Sequence, residues 1–422
     1  SAPIFTSSEL KEFRAQLGTP AAHEALEDGT DLKRKWDGHF RWKDKDAPTI
    51  FVHREVSEGL RGGPKAWWGH RAAFRYPLGD NLGNVKQPVL VLCPEDDLWT
   101  QTQRARDLIP NGRLHELPGY SHGMLDSHTD KVARIVRGFL DGHAPDNGAT
   151  AQKAAPPPPR KSKGPLQRAF MDGPYGQLHY RMVAPENPRQ VPLVCFHLSP
   201  DSGRIYEAIL TRIGADRIAV APDTPGFGES DPPLAPIEIE DIALTMGQLI
   251  DHLGFEQVDV MGYHTGSETA VELALQRPKL VRRIVQISCP IWTPEELVAA
   301  RRKYRDWAVK EDGSHLLERW EAMKPYYRAD GPLEVRAVHF TESLRGGPAT
   351  TWGHRAAHNY DLRQKLPLVE QPILIVSPND VLTDHSRRGL PLMRRGRLHQ
   401  IEHWGHGFID TIPDEFERIL RQ

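Results

Sequence analysis

The sequence predicts an α/β fold built on a mostly parallel sheet. Three features predict it: apolar strand-like runs alternating with helical periodicity, a glycine-framed turn between a strand and a helix, and an internal repeat. A chain of 422 residues exceeds what one ordinary core uses, so two units are expected.

Strand signals begin after Gly173-Pro174-Tyr175-Gly176, where Leu178, Tyr180 and Met182 alternate as in a half-buried antiparallel strand. Continuous apolar runs follow at 193–196, 218–221, 258–261 and 284–287, and read as parallel strands covered on both faces. Between them, Ile205, Tyr206, Ile209, Leu210 and Ile213 recur at helical spacing. So do Ile239, Ile242, Ala243, Met246, Leu249, Ile250 and Leu253, until Gly254 stops the second helix.

The segment Gly262-Tyr263-His264-Thr265-Gly266 joins the run at 258–261 to a helix rich in Ala and Glu. A sharp strand-to-helix turn needs small residues two before and two after its tip, because side chains there collide with the neighbouring strand and helix. Two further loops fit the same scheme, Pro222-Asp-Thr-Pro-Gly-Phe-Gly-Glu-Ser-Asp231 and His197-Leu198-Ser199-Pro200. With these motifs in this order, residues 169–422 resemble the α/β-hydrolase superfamily, in particular its epoxide hydrolase, haloalkane dehalogenase and esterase-like branch.

That resemblance implies an α/β-hydrolase fold over residues 168–422 with a helical cap at about 292–361. It puts His264 at the tip of the nucleophile elbow, where most relatives carry serine or aspartate. The acid is then expected at Asp380, the general base at His406, and the oxyanion donors at the backbone N–H groups of Thr265 and Leu198. His197, Trp352 and His354 are candidates for substrate contact, although Trp352 and His354 serve equally well as helix-packing residues.

Histidine changes the chemistry open to the elbow. A serine hydroxyl needs a base to take its proton, whereas a neutral imidazole attacks an acyl carbon directly or activates water as a general base. The expected activity is therefore hydrolysis of an ester, lactone or similar acyl substrate, without a cofactor. The alternatives are a non-catalytic binding protein that keeps the elbow for packing, and a carbon–carbon bond hydrolase or lyase. Another reading gathers His264, His406 and Asp380 into a two-histidine, one-carboxylate metal site, although the elbow is not built for one, and no metal is expected. Ser267 is a candidate displaced nucleophile, but its place beyond Gly266 suits a helix cap better.

The internal repeat organises the rest. Ser1-Ala-Pro-Ile-Phe-Thr6 matches Ser288-Cys-Pro-Ile-Trp-Thr293, and Leu60-Arg-Gly-Gly-Pro64 matches Leu344-Arg-Gly-Gly-Pro348. Trp68-Gly-His-Arg-Ala-Ala73 answers Trp352-Gly-His-Arg-Ala-Ala357, and Asp96 and His122 are the counterparts of Asp380 and His406. Residues 1–143 thus read as the C-terminal half of a first hydrolase-like module, with its cap and last two strands. Two strands do not make a central sheet, so the missing half is expected upstream or on a partner chain, and a homo-oligomer also fits. The opening at Ser1 without an initiator methionine suggests processing or a beginning inside a larger gene. Residues 144–167, rich in Ala, Pro and Lys with Pro156–Pro159 consecutive, read as an extended interdomain linker.

Composition narrows the partners. Charged residues make up 26% of the chain with a formal net charge of −2, which gives no basic field for nucleic acid and favours a small-molecule substrate. Cys93, Cys195 and Cys289 lie far apart in apolar runs without metal-ligand spacing, as buried thiols in a reducing compartment would. No apolar stretch approaches bilayer-spanning length and no signal core is visible, so a cytoplasmic protein is expected.

Overall fold

The computed structural model describes residues 2–142, 165–303 and 307–422. The chain divides into two compact units, Ser1–Arg160 with Val309–Leu317, and Lys161–Ala308 with Glu318–Gln422.

In the first unit a two-stranded parallel sheet, β1 (Val89–Pro94) and β2 (Gly112–Leu117), is accompanied by helices that include Ser7–Gln16, Thr30–Arg41, Thr49–Arg61 and Thr129–Asp141. Val309–Leu317 belongs to this unit although it lies within the expected cap. There the buried Trp36 donates its indole N–H to the Glu311 carbonyl at 2.8 Å.

The second unit holds an eight-stranded sheet. Its strands are β3 (Leu166–Gly173), β4 (Gly176–Val183), β5 (Leu193–Phe196), β6 (Ala219–Pro222), β7 (Val258–Tyr263), β8 (Val281–Ile287), β9 (Ile373–Pro378) and β10 (Gly396–Ile401). Their spatial order is β10-β9-β8-β7-β5-β6-β4-β3, with only the β3–β4 and β4–β6 pairs antiparallel. Leu166 opens β3 inside the expected linker, because it pairs with Val183 and packs against the core. The rest of that linker, residues 144–164, lies outside the described residues.

Every position of β5, β6 and β7 is buried, which is why β5 and β6 read as unbroken apolar runs, while β7 carries Asp259, paired with Arg217 and Arg282. Successive side chains feed opposite faces. Val194 and Phe196 join the core under helices Ile239–His252 and Thr265–Gln276, while Leu193 and Cys195 join the one packed by Glu207–Ile213 and Pro413–Arg421. Each such aliphatic or aromatic side chain contributes roughly 1.5–3 kcal/mol on full burial. All three cysteines are buried free thiols. Between β8 and β9 the chain makes the helices Pro294–Lys303, Ser314–Met323, Leu333–Arg345 and Trp352–Asn359, where the cap is expected. No described helix is long and apolar enough to cross a membrane.

Each unit shows the same local devices. Thr6 and Glu9 form a capping box at Ser7–Gln16, and Thr293 and Glu296 exchange the same bonds at Pro294–Lys303. Arg104 bonds the Ile4 carbonyl and Glu9, as Arg388 bonds the Ile291 carbonyl and Glu296. β1 and β2 pair from Val89↔Gly112 to Pro94↔Leu117, and β9 and β10 from Ile373↔Gly396 to Pro378↔Ile401. Left-handed Gly123 and Gly407 follow His122 and His406, whose amides donate to the carbonyls of Trp42 and Tyr326.

Candidate active site

A single residue separates β7 from helix Thr265–Gln276, and that residue is His264 at φ 47°, ψ −114°. A non-glycine side chain in such a region stores roughly 1–3 kcal/mol of strain, held here by the packing around the turn. A Cβ on Gly262 would come under 3.0 Å from Gly266 backbone atoms, and one on Gly266 under 3.0 Å from the carbonyls of Phe196 and His197. These two glycines therefore let strand, helix and the loop after β5 close on one another. The His264 amide donates to the Ile287 carbonyl at 3.0 Å, and the Ser267 amide donates back to the His264 carbonyl at 2.8 Å. Ser267 is neither cap nor nucleophile. It is buried inside the helix with its hydroxyl given to the Gly262 carbonyl at 2.9 Å.

Asp380 follows β9 with its carboxylate fully buried. Its Oδ1 accepts from the Leu382 amide at 2.9 Å, and its Oδ2 accepts from the Ser288 hydroxyl. Both imidazoles turn to that same Oδ2, His264 Nε2 at 3.6 Å and His406 Nε2 at 3.4 Å, with ring centroids 5.0 Å apart. A serial relay, with His406 between tip and acid, is thus not what the chain builds. An imidazole is longer than a serine side chain, so from the tip of the elbow it reaches the acid itself and shares it with His406.

The electrostatics follow from this crowding. Burial alone would raise the Asp380 carboxyl, but the adjacent His264 and His406 outweigh it and hold the group well below the usual carboxylate range. For His264, burial lowers the ring and the neighbouring His406 adds to that, while Asp380 opposes it; the net direction is down, toward neutral imidazole. His406 sits in an aromatic cage, stacked on Tyr326 at 5.4 Å and edge-on to Tyr263 at 5.7 Å and Tyr327 at 5.9 Å.

Two elements were not legible in the sequence. Ser288, at the end of β8, takes a positive φ of 48° and delivers its hydroxyl to Asp380. Its identity with Ser1 in the repeat was the only signal, and that pointed to the duplication rather than to a role. The second is His339 on cap helix Leu333–Arg345, buried between Asp201 Oδ2 at 3.0 Å and Asp410 Oδ2 at 3.2 Å. Asp201 ends the loop after β5, and Asp410 lies just beyond His406, so one imidazole ties the cap to both loops of the site. Burial would lower this ring, but the two carboxylates prevail and raise it to about 10. Tyr327 touches both His339, at 5.7 Å, and His406, at 5.9 Å.

The other sequence candidates divide. Thr265 opens the elbow helix, and Leu198 follows the Phe196 and His197 carbonyls that Gly266 packs against. His197 does not face a substrate. Its buried ring donates from Nδ1 to the Leu198 carbonyl at 2.7 Å and accepts at Nε2 from the Thr224 amide at 2.9 Å, so it braces the loop instead. His354 lies within electrostatic reach of His264; burial first, then the charges of His358, Arg319 and His264, push it down to about 3. Trp352 is half-buried at the start of its helix, and the adjacent Gly353 packs on Ser199 and Phe227. In the first unit Asp96 Oδ1 accepts from the Leu98 amide at 2.9 Å, as Asp380 does from Leu382, but His122 pairs with Asp97 at 3.0 Å rather than with Asp96. An aspartate there replaces Val381 of the second unit and lies nearer the ring.

Residues 192–312 match the family model described as alpha/beta hydrolase fold. The chain is 29% identical over 105 residues to a soluble epoxide hydrolase of Corynebacterium sp., a match covering 25% of this chain and 37% of that protein, well under half its length. It is 28% identical over 233 residues to a putative carbamate hydrolase, RutD, of Pseudomonas syringae, covering 52% of this chain and 88% of that one. The enol-lactonase of Burkholderia xenovorans has a similar structure, with a TM-score of 0.51 and 20% identity, covering 60% of this chain and 98% of the other. The strand order and the elbow between β7 and its helix give the second unit an α/β-hydrolase fold, in keeping with the family-model match at 192–312 and with these likenesses.

Proposed function

We propose that the protein is a hydrolase of ester, lactone or similar acyl substrates that uses His264 in place of an elbow serine, together with Asp380 and His406. The convergence of both imidazoles on Asp380 Oδ2 supports this reading more than any other observation. With Nε2 turned to the carboxylate, His264 carries its proton there and offers Nδ1 as the free lone pair. Nδ1 takes a proton from water as the hydroxide adds to the acyl carbon, and the amides of Thr265 and Leu198 receive the oxyanion. Asp380 and His406 hold the transient imidazolium, which returns its proton to the departing alcohol. The likeness to an enol-lactonase and to a putative carbamate hydrolase is in keeping with an acyl substrate.

A panel of aryl esters and lactones tests it. His264→Ala is expected to lower turnover about 10²–10⁴-fold, and turnover untouched by that change removes His264 from the chemistry. Absence of turnover across the panel, with ligands still bound, moves the protein to the binding class.

We also infer that residues 1–143 descend from duplication of the segment now at 288–422. The paired capping boxes, arginine bridges and strand registers support it. Such a half needs the strands that β3–β8 supply to the second unit.

A further inference from the structure

We propose that His264, His406 and Asp380 also bind a divalent late transition-metal ion, zinc being the type, and that the ion shuts the hydrolytic site. The ligand set is two imidazole nitrogens and a carboxylate oxygen, all within 4.8 Å of one another. Metal–ligand bonds of about 2.0–2.1 Å in a tetrahedral arrangement set neighbouring ligand atoms about 3.3 Å apart. The two Nε2-to-Oδ2 separations, 3.4 and 3.6 Å, are close to that edge and longer than a good hydrogen bond. Both Nε2 atoms are buried without a hydrogen-bond partner, although each ring is aimed at the carboxylate. An ion between the three ligands resolves this frustration. It supplies the missing partner to two orphaned nitrogens and matches the negative charge with a larger positive one.

The surroundings already resemble a ligand-orienting shell. Ser288 and the Leu382 amide fix the two oxygens of Asp380, and the rings keep only 15% and 10% exposure. The group at Asp96, Asp97 and His122 is a poorer site, with a single imidazole and a 40%-exposed Asp97.

Inhibition follows from the tautomer and rests on the hydrolase reading above. Coordination takes the lone pair of His264 Nε2, so the ring proton moves to Nδ1, and the nitrogen that would accept a proton from water no longer can.

The test uses the full chain freed of metal by chelation and titrated with zinc by calorimetry and with cobalt by visible absorption. One equivalent is expected to bind with a tetrahedral cobalt spectrum, and to be lost in His264→Ala, His264→Gln and Asp380→Asn. His122→Ala is expected to leave it unchanged, and Ser288→Ala to weaken it about 10–100-fold. Far-UV circular dichroism establishes that each variant is folded. Retention of the cobalt spectrum in folded His264→Gln, or its loss only in His122→Ala, overturns the site. Spectra are read whether or not a hydrolysable ester is found, so failure of the site and failure of the hydrolase reading are separate results. Where turnover is measurable, stoichiometric zinc is expected to abolish it, and full activity of the zinc-loaded chain overturns the inhibitory role.

Discussion

Replacing His339 by glutamine probes how the cap is held over the site. The ring is 4% exposed, lies 3.0 and 3.2 Å from two carboxylates, and is raised from 6.5 to about 10. That preference for the protonated form corresponds to roughly 4–5 kcal/mol, and removing one partner of a buried ion pair costs about 3–5 kcal/mol. His339→Gln is thus expected to destabilise the second unit by on the order of 4 kcal/mol at pH 6, since the glutamine leaves Asp201 and Asp410 without a cation. The sign sets the pH dependence. A histidine raised on folding contributes fully below its unfolded value of 6.5, and the contribution is lost as pH rises through about 10. Urea unfolding of both proteins by tryptophan fluorescence, from pH 6 to pH 10.5, should show the gap between their midpoints closing across that interval. Other groups that titrate there are common to both proteins and cancel. A gap that is absent at pH 6, or that persists undiminished at pH 10.5, refutes the argument that a protonated His339 ties the cap to the two loops.

The elbow, the acid limb of activity and a buried glutamate give three further expectations. Gly266→Ala drives a Cβ into the carbonyls of Phe196 and His197, so a loss of about 1–3 kcal/mol or more should appear in thermal unfolding, and an unchanged midpoint would contradict the close approach. Because burial, reinforced by His406, lowers His264, the neutral base should persist below pH 6.5, and kcat/KM toward an aryl ester should fall only at lower pH; a midpoint above 6.5 counts against His264 as the base. Glu268 is buried, neither of its oxygens has a partner among the described residues, and burial raises its carboxyl well above the ordinary value. A carboxyl raised on folding costs stability as pH climbs above its unfolded value of 4.5, so Glu268→Gln should stabilise the chain at pH 7 and not at pH 4. Equal effects at the two pH values would show that ionisation of Glu268 is not the cause.

The sequence by itself determined the fold and the turn that carries the site. β5 is buried at every position and reads as an uninterrupted apolar run; β7 is buried throughout as well, but Asp259 breaks its run, so the apolar residues around that aspartate and the glycine-framed turn that follows located it. Gly262 and Gly266 were equally legible, since only a glycine tolerates the backbone approaches found there. The repeat stood out because segments 1–143 and 288–422 still share residues at fixed spacing.

What tertiary structure decided is how the candidates meet. Asp380, His406 and His264 come from loops 26 to 142 residues apart, and the chain order of nucleophile, acid and base says nothing of which imidazole touches the acid. That both do follows from side-chain length measured from a strained backbone, a distance that no periodicity encodes. His197 matched a family loop and is a brace, because its ring finds the Thr224 amide across the sheet edge. His339 and Ser288 carried no motif, and their partners, Asp201, Asp410 and Asp380, are remote in sequence. Local pattern fixes what a residue's own backbone must do, whereas charge pairing among buried groups depends on which loops the sheet brings to one edge.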